Sequence, residues 1–280
     1  MTCAKTSLRP PGWKKFTALA LSAATIILCL LSSVRAQERV VILAPAAADV
    51  VSRLGAGDFV VGVTSSVEDF PAAESVGTHR QPEIEKIAAL RPTLLIAARD
   101  FDPTLAERLG AELFIYDPAD LAGITTAMRD LAARLGREKE GQTLAEYIAV
   151  LLSQTDSAPP RRPTVLYEVR AEPLSVAGSR TVIRDLLEKA GFEYAHKGSS
   201  GLISAEYLLA HQPDYYIYQI GPMNKNPVPP NKRPGWENLK SHIWKVDELK
   251  FARPNIAMFE TLVELSKVLR GSGDHKGLAP

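Results

Sequence analysis

Residues 84–97, IEKIAALRPTLLIA, have a counterpart 121 positions further on at residues 205–218, AEYLLAHQPDYYIY. Glu85 and Glu206, the apolar pair that follows each, Pro92 and Pro213, and a closing apolar run fall in one register. Each copy encodes a short amphipathic helix, a stop and a buried strand. Proline cannot continue a helix, and it pushes the residue before it out of the helical region. The apolar run after it has strand length. Two copies of one supersecondary unit predict a molecule of two similar halves, and a groove between halves is a common place for a ligand.

The rest of the chain fits around these copies. Residues 39–43 and 59–63 read as strands and 46–54 as the helix between them; residues 105–109 read as a helix and 112–116 as another strand. Strands alternating with helices predict a parallel α/β sheet. Two helical stretches follow, 121–135 and 138–153, broken at Gly136. The second has one apolar stripe and, at about 1.5 Å per residue, spans roughly 25–30 Å, enough to connect two lobes. The second half repeats the scheme with strand 164–169, helix 180–190, the second copy of the unit, strand 243–246 and helix 255–269. The expected organisation is an N-terminal lobe over 37–136, a linker helix over 137–157, a C-terminal lobe over 158–270 and a frayed tail over 271–280.

Residues 1–36 read as a secretion signal that is removed. Arg9, Lys14 and Lys15 precede an apolar stretch over 16–31, and Val34-Arg35-Ala36 suits cleavage before Gln37. A retained membrane anchor is the alternative. The chain holds 33 Lys and Arg against 32 Asp and Glu; the first 36 residues carry five of those bases and none of the acids, leaving 28 against 32, net −4. That balance argues against a nucleic-acid or anionic-membrane partner. Both cysteines, Cys3 and Cys29, fall in the removed segment, so the secreted part must rely on its core rather than on disulfides.

In parallel α/β lobes, ligands sit beyond the carboxyl ends of the strands. That rule selects Pro45, Ala46, Ser65, Thr78, His79, Arg80, Gln81, Arg99 and Phe101 in the first half. In the second it selects Arg170, Arg180, Tyr218, Met223, Asn224, Trp236 and Arg253. Arg80, Arg99, Arg170, Arg180 and Arg253 are expected to converge on one groove, where guanidinium forks suit an anionic ligand; each taken alone reads more readily as a solvated loop charge. His79 is either polar surface or a direct metal ligand through neutral imidazole. Tyr216 and Tyr218 share a strand face. Residues 221–235 carry five prolines among asparagines and apolar side chains, and form either a rigid connector to Trp236 or a functional loop. There is no nucleophile elbow, phosphate-cradling glycine loop or cysteine beyond residue 36 to suggest an enzyme, and Ser65 and Ser199 have no base fixed by spacing.

These residues resemble a known family, the bilobed periplasmic substrate-binding proteins with a single helical linker. Such proteins serve ABC importers for ferric siderophores, haem and cobalamin. RVVILAP at 39–45 with LGAGDFVVGV at 54–63 looks like the family's first strand, helix and second strand. VGTHRQPEIEKI at 76–87 with Leu90-Arg91-Pro92 is the most specific signature, and Phe251-Ala252-Arg253-Pro254 before the last helix also matches. The resemblance covers nearly all of 39–270. It implies two Rossmann-like α/β lobes with parallel sheets, one long linker helix and a ligand cleft between the lobes. It implies a periplasmic, monomeric receptor, not an enzyme, with no resident cofactor. The partner is an inner-membrane ABC permease, and the cargo is an iron chelate of the anionic siderophore type. Cobalamin or another corrinoid, or haem, is the alternative within the class; a secreted enzyme or a sensor module without a permease is the alternative outside it. Glu85 and Glu206 sit where the family pairs one glutamate per lobe with permease arginines, although both also suit a helix N-terminus. Two departures stand out. Ala46-Ala47-Ala48 lacks the usual hydroxyl after the proline, and Thr78 replaces a tyrosine familiar from haem-binding members.

Overall fold

Three consecutive apolar residues, Val40–Ile42, form β1 at the centre of the first sheet in the computed structural model, which describes residues 38–155 and 161–270. The expected secretion signal and the C-terminal tail lie outside the described residues. Around β1 are β2 (Val60–Val63), β3 (Glu74–Ser75), β4 (Leu94–Ala97) and β5 (Glu112–Ile115), in the order β3-β2-β1-β4-β5 and all parallel. Side chains alternate across the sheet. Val40, Ile42, Leu94 and Ile96 face the largest core, whereas Val41, Leu43, Leu95 and Ala97 face a smaller one on the other side.

Helices α1 (Ala47–Arg53), α2 (Ile84–Ala89) and α3 (Pro103–Leu109) connect these strands. The start of α3 is fixed by the Asp102 carboxylate, which accepts from the Thr104 N–H at 2.9 Å, and by Pro103 in the first turn; Gly110 closes it in the left-handed region at φ 66°. Two longer helices follow, α4 (Leu121–Arg134) and α5 (Glu138–Ser153), turned at Gly136 with φ 66°. The break and the linker helix thus fall where the sequence places them.

The second sheet holds β6 (Thr164–Arg170), β7 (Ser175–Val176), β8 (Glu193–Tyr194), β9 (Gly201–Leu202), β10 (Tyr215–Ile220) and β11 (His242–Asp247). Its main path is β11-β10-β6-β7-β9, with β8 also on β6. β6, β8, β10 and β11 pair in parallel, and the two-residue strands β7 and β9 add an antiparallel edge that the sequence reading lacked. Helices α6 (Val182–Ala190), α7 (Ala205–Ala210), α8 (Glu248–Phe251) and α9 (Ala257–Arg270) complete this lobe.

The duplicated unit is structurally equivalent in its two copies. Ile87 of α2 and Leu208 of α7 occupy matching positions, as do Leu95 and Tyr216, and Ala97 and Tyr218. In each lobe these side chains bury in the smaller core on the outer face of the sheet. The opposite faces meet in one continuous core. Val40 and Ile42, α4 and α5 side chains such as Met128 and Ile148, and Val165, Tyr167, Phe259 and Leu262 from the second half all belong to it. Polar ties reinforce this shared core. The Tyr116 hydroxyl donates to the Pro254 carbonyl at 2.9 Å, and the Asp185 carboxylate accepts from the Leu121 N–H at 2.8 Å. Asp49 accepts from the Ile256 N–H at 3.0 Å, and Arg53 of α1 reaches Glu260 of α9 at 2.8 Å. No helix among the described residues is long and apolar enough to cross a membrane.

Candidate functional site

On the N-terminal lobe, the signature residues 77–82 form a self-contained turn. The Thr78 and Gln81 backbones exchange hydrogen bonds at 3.2 Å, the Thr78 hydroxyl accepts from the Gln81 N–H at 3.0 Å, and Gly77 bridges to Pro82. Gly77 has φ 88°, and a Cβ there would lie 2.6 Å from the Gln81 carbonyl, so both conformation and space demand glycine. The Gly77 carbonyl also accepts from the Ser65 N–H at 2.8 Å, which draws the β2 loop to the same place. Thr78 and the Gln81 backbone are spent on the turn, and its tip exposes His79 and Arg80.

The second lobe answers with Arg253. Its guanidinium crosses between the lobes to donate to the Ser66 carbonyl at 3.0 Å, and it shares a concavity of about 550 Å³ with Pro45, Ser66 and Asp247. Burial holds the Arg253 pKa below the usual arginine range, against the pull of Glu248, Asp69, Asp247 and Glu68. His79 is held below the usual histidine range by partial burial and by Arg80, with Asp100 opposing and Arg253 adding to the depression. Arg80 from one lobe and Arg253 from the other thus both disfavour a charged His79, and Asp100 favours it.

Arg99, Arg180 and Arg170 line other concavities. Arg99 is exposed and ion-paired to Asp117 at 3.3 Å, in a separate surface concavity with Asp100. Arg180 lies with Asp120 and Asp185 in a third, smaller one of about 260 Å³. Arg170 opens into a fourth, of about 570 Å³, with Met223, Asn224 and Trp236. Of the five expected arginines, Arg253 alone lines the concavity of about 550 Å³, and Arg99, Arg170 and Arg180 line three others.

Several expected contact residues are packed rather than presented. Tyr218 and Trp236 are buried in the outer core of the second lobe. Asn224 uses its side chain to tie its loop down, donating to the Gln219 carbonyl of β10 at 2.9 Å and accepting from the Ala171 N–H at 3.4 Å. Ala46 and Phe101 pack partly against the N-terminal cores. Met223 remains about half exposed, at 47 %.

What the sequence reading missed is the partner of Arg233. Glu168 of β6 is fully buried and takes two parallel hydrogen bonds from Arg233, at 2.6 and 2.8 Å. The Tyr216 hydroxyl donates to the same carboxylate at 2.5 Å, and the guanidinium lies 4.8 Å over the Trp236 ring. Half of the signal was local: a glutamate inside an apolar strand calls for a buried cation, but nothing near it in sequence names Arg233 as that cation.

Glu85 and Glu206 occupy the same second position of α2 and α7, and both are exposed. Glu206 is held below the usual carboxylate range by its own backbone N–H and by the Ser204 hydroxyl. No cluster of three or more His, Cys, Asp or Glu suited to a metal occurs among the described residues.

Comparison with known proteins agrees with this architecture. Curated vitamin B12-binding proteins from Yersinia are similar. The one from Yersinia pestis strain Pestoides F is 24 % identical over 212 residues, covering 70 % of this chain and 75 % of that one. The one from Yersinia pseudotuberculosis serotype O:3 is 26 % identical over 185 residues, covering 61 % and 65 %. Among solved structures, a periplasmic heme-binding protein from Pseudomonas aeruginosa superposes with TM-score 0.70 at 21 % identity, covering 85 % of this chain and 94 % of that one. The vitamin B12-binding protein BtuF of Vibrio cholerae gives 0.68 at 22 %, covering 83 % and 98 %. Both share the two-lobed fold. The family model for periplasmic binding proteins matches residues 40–241, and the chain belongs to that family.

Proposed function

We propose that this chain is the substrate-binding component of an ABC importer, and that it captures an organic metal chelate between its lobes for delivery to a membrane permease. The observation that carries this reading is the reach of Arg253 from the second lobe to the Ser66 carbonyl at 3.0 Å, on the loop that Ser65 ties to the turn exposing His79 and Arg80. Two guanidiniums from different lobes suit an acidic chelate, such as a ferric siderophore, held across the groove. A neutral imidazole beside them can also donate to a metal that has an open coordination position. The shared core and the polar ties favour capture with modest lobe movement. Glu85 and Glu206 offer one exposed carboxylate per lobe to the permease.

A corrinoid or haem is the second reading, favoured by the vitamin B12-binding and heme-binding names of the similar proteins. Titration of the purified protein with a ferric siderophore, cyanocobalamin and haemin, followed by absorption and melting temperature, tests both. One probe is expected to bind saturably and raise the melting temperature. Binding of none of the three would remove the chelate reading.

A further inference from the structure

The proline-rich segment 221–235 is anchored along its length. Gly221 starts it at a point of close approach, where a Cβ would lie 2.4 Å from the Glu248 Cβ. The Glu248 carboxylate accepts from the Met223 N–H at 2.7 Å, and Asn224 ties the first turn to β10 and to Ala171. Arg233 then locks the far end. It donates to the Val228 carbonyl at 2.8 Å, closing the loop on itself, while its fork grips Glu168. Burying such a pair adds little net stability on its own. Two parallel charge-assisted bonds do, however, fix both position and angle.

The segment so held forms one side of the cavity of about 570 Å³ whose other side is the stretch around Arg170 and Leu174. Met223 and Val228 show about half of their surface, 47 % and 51 %. The side chains of Arg170 and Lys225, at the same cavity, have no hydrogen-bonded or ion-paired partner among the described residues.

We propose that Glu168 and Arg233 are positioning residues: they hold segment 221–235 as a standing wall of a binding site that takes the apolar face of a cargo whose acidic substituent meets Arg170 and Lys225. This rests on the chelate-binding reading above. A wall stiffened by five prolines and an internal ion pair loses little freedom when a ligand arrives, so less of the contact energy is spent on ordering it.

Two measurements test the proposal, and the first needs no ligand. Trypsin cleaves after Lys225 and Lys232 once the segment detaches. In the wild-type protein both bonds should resist. In Glu168→Leu/Arg233→Met/Tyr216→Phe, which strands neither a charge nor the hydroxyl that donated to Glu168, cleavage should be at least ~10-fold faster at a nearly unchanged melting temperature. Should that variant fail to fold, Glu168→Gln gives the same comparison at matched volume.

The second measurement is affinity for cyanocobalamin, haemin and a ferric siderophore. The loosened variant should bind whichever probe the wild type binds at least ~10-fold more weakly, and Arg233→Lys should restore only part of the loss because it lacks the fork. Arg170→Gln/Lys225→Gln should weaken a carboxylate-bearing probe more than a neutral one. Unchanged cleavage, or lost protection with affinity retained, would overturn the proposal. If the wild type binds none of the probes, the cargo reading fails, and with it the role as a site wall, while cleavage rates still decide whether the pair holds the segment.

Discussion

Asp214 shows how much a single carboxylate can organise. It sits just before β10, accepts from the Thr164 N–H at 2.8 Å and from the Thr164 hydroxyl at 3.0 Å, and its own N–H returns a bond to that hydroxyl at 2.8 Å. The two central strands of the second lobe are thereby started in register. These bonds, the Thr164 N–H first, hold the Asp214 pKa below the usual carboxylate range. A depressed folded-state pKa contributes stability that is present above the unfolded value, about 3.9, and is lost as pH falls through the folded value. Asp214→Ala should therefore cost about 1–3 kcal/mol in urea denaturation at pH 7, and the difference from wild type should shrink below about pH 4. At this scale the sequence was only partly legible. The shared face of Tyr216 and Tyr218 follows from strand periodicity alone, but the pairing of Arg233 with Glu168, 65 residues apart, depends on a loop returning over a sheet. No local pattern encodes that return.

Elements were the most legible level, because periodicity and stop residues are local. The breaks at Gly110, Gly136 and Gly191 all fall on left-handed glycines, and both copies of the repeated unit form as read. The two-residue strands β7, β8 and β9 escaped notice because a run of two cannot show a period of two. The linker helix α5 is held chiefly by its apolar stripe: Ala145, Ile148 and Leu151 are buried in the shared core. Its polar end adds a tie, where the Tyr147 hydroxyl donates to Glu260 at 3.0 Å beside the Arg53–Glu260 pair. Ile148→Ala should leave a cavity common to both lobes and cost about 2–5 kcal/mol. Chemical denaturation should show the midpoint falling while the slope stays constant, since the folded and unfolded surfaces are otherwise the same.

For the whole molecule, the repeat reports two surfaces. Its strands end toward the groove, while its helices cover the outer faces and carry Glu85 and Glu206 in equivalent exposed positions. Reversing both charges, Glu85→Arg with Glu206→Arg, should abolish permease-dependent uptake of the bound cargo and leave its affinity for the isolated protein within about twofold, because exposed charges away from a site contribute little to it. Loss of affinity in that variant would place the glutamates in the binding site instead. The fold was readable from sequence because the repeat, the stops and the linker each speak locally; the site was not, because its members converge only after two sheets have been set against one core. That shared core has a practical corollary for anyone turning the protein into a biosensor. A pair of dyes placed one on each lobe would report almost nothing, since the lobes are sutured through their interiors. A single environment-sensitive dye on Met223→Cys, the one thiol in a protein prepared from residue 37 onward, would instead report on the cavity walled by segment 221–235.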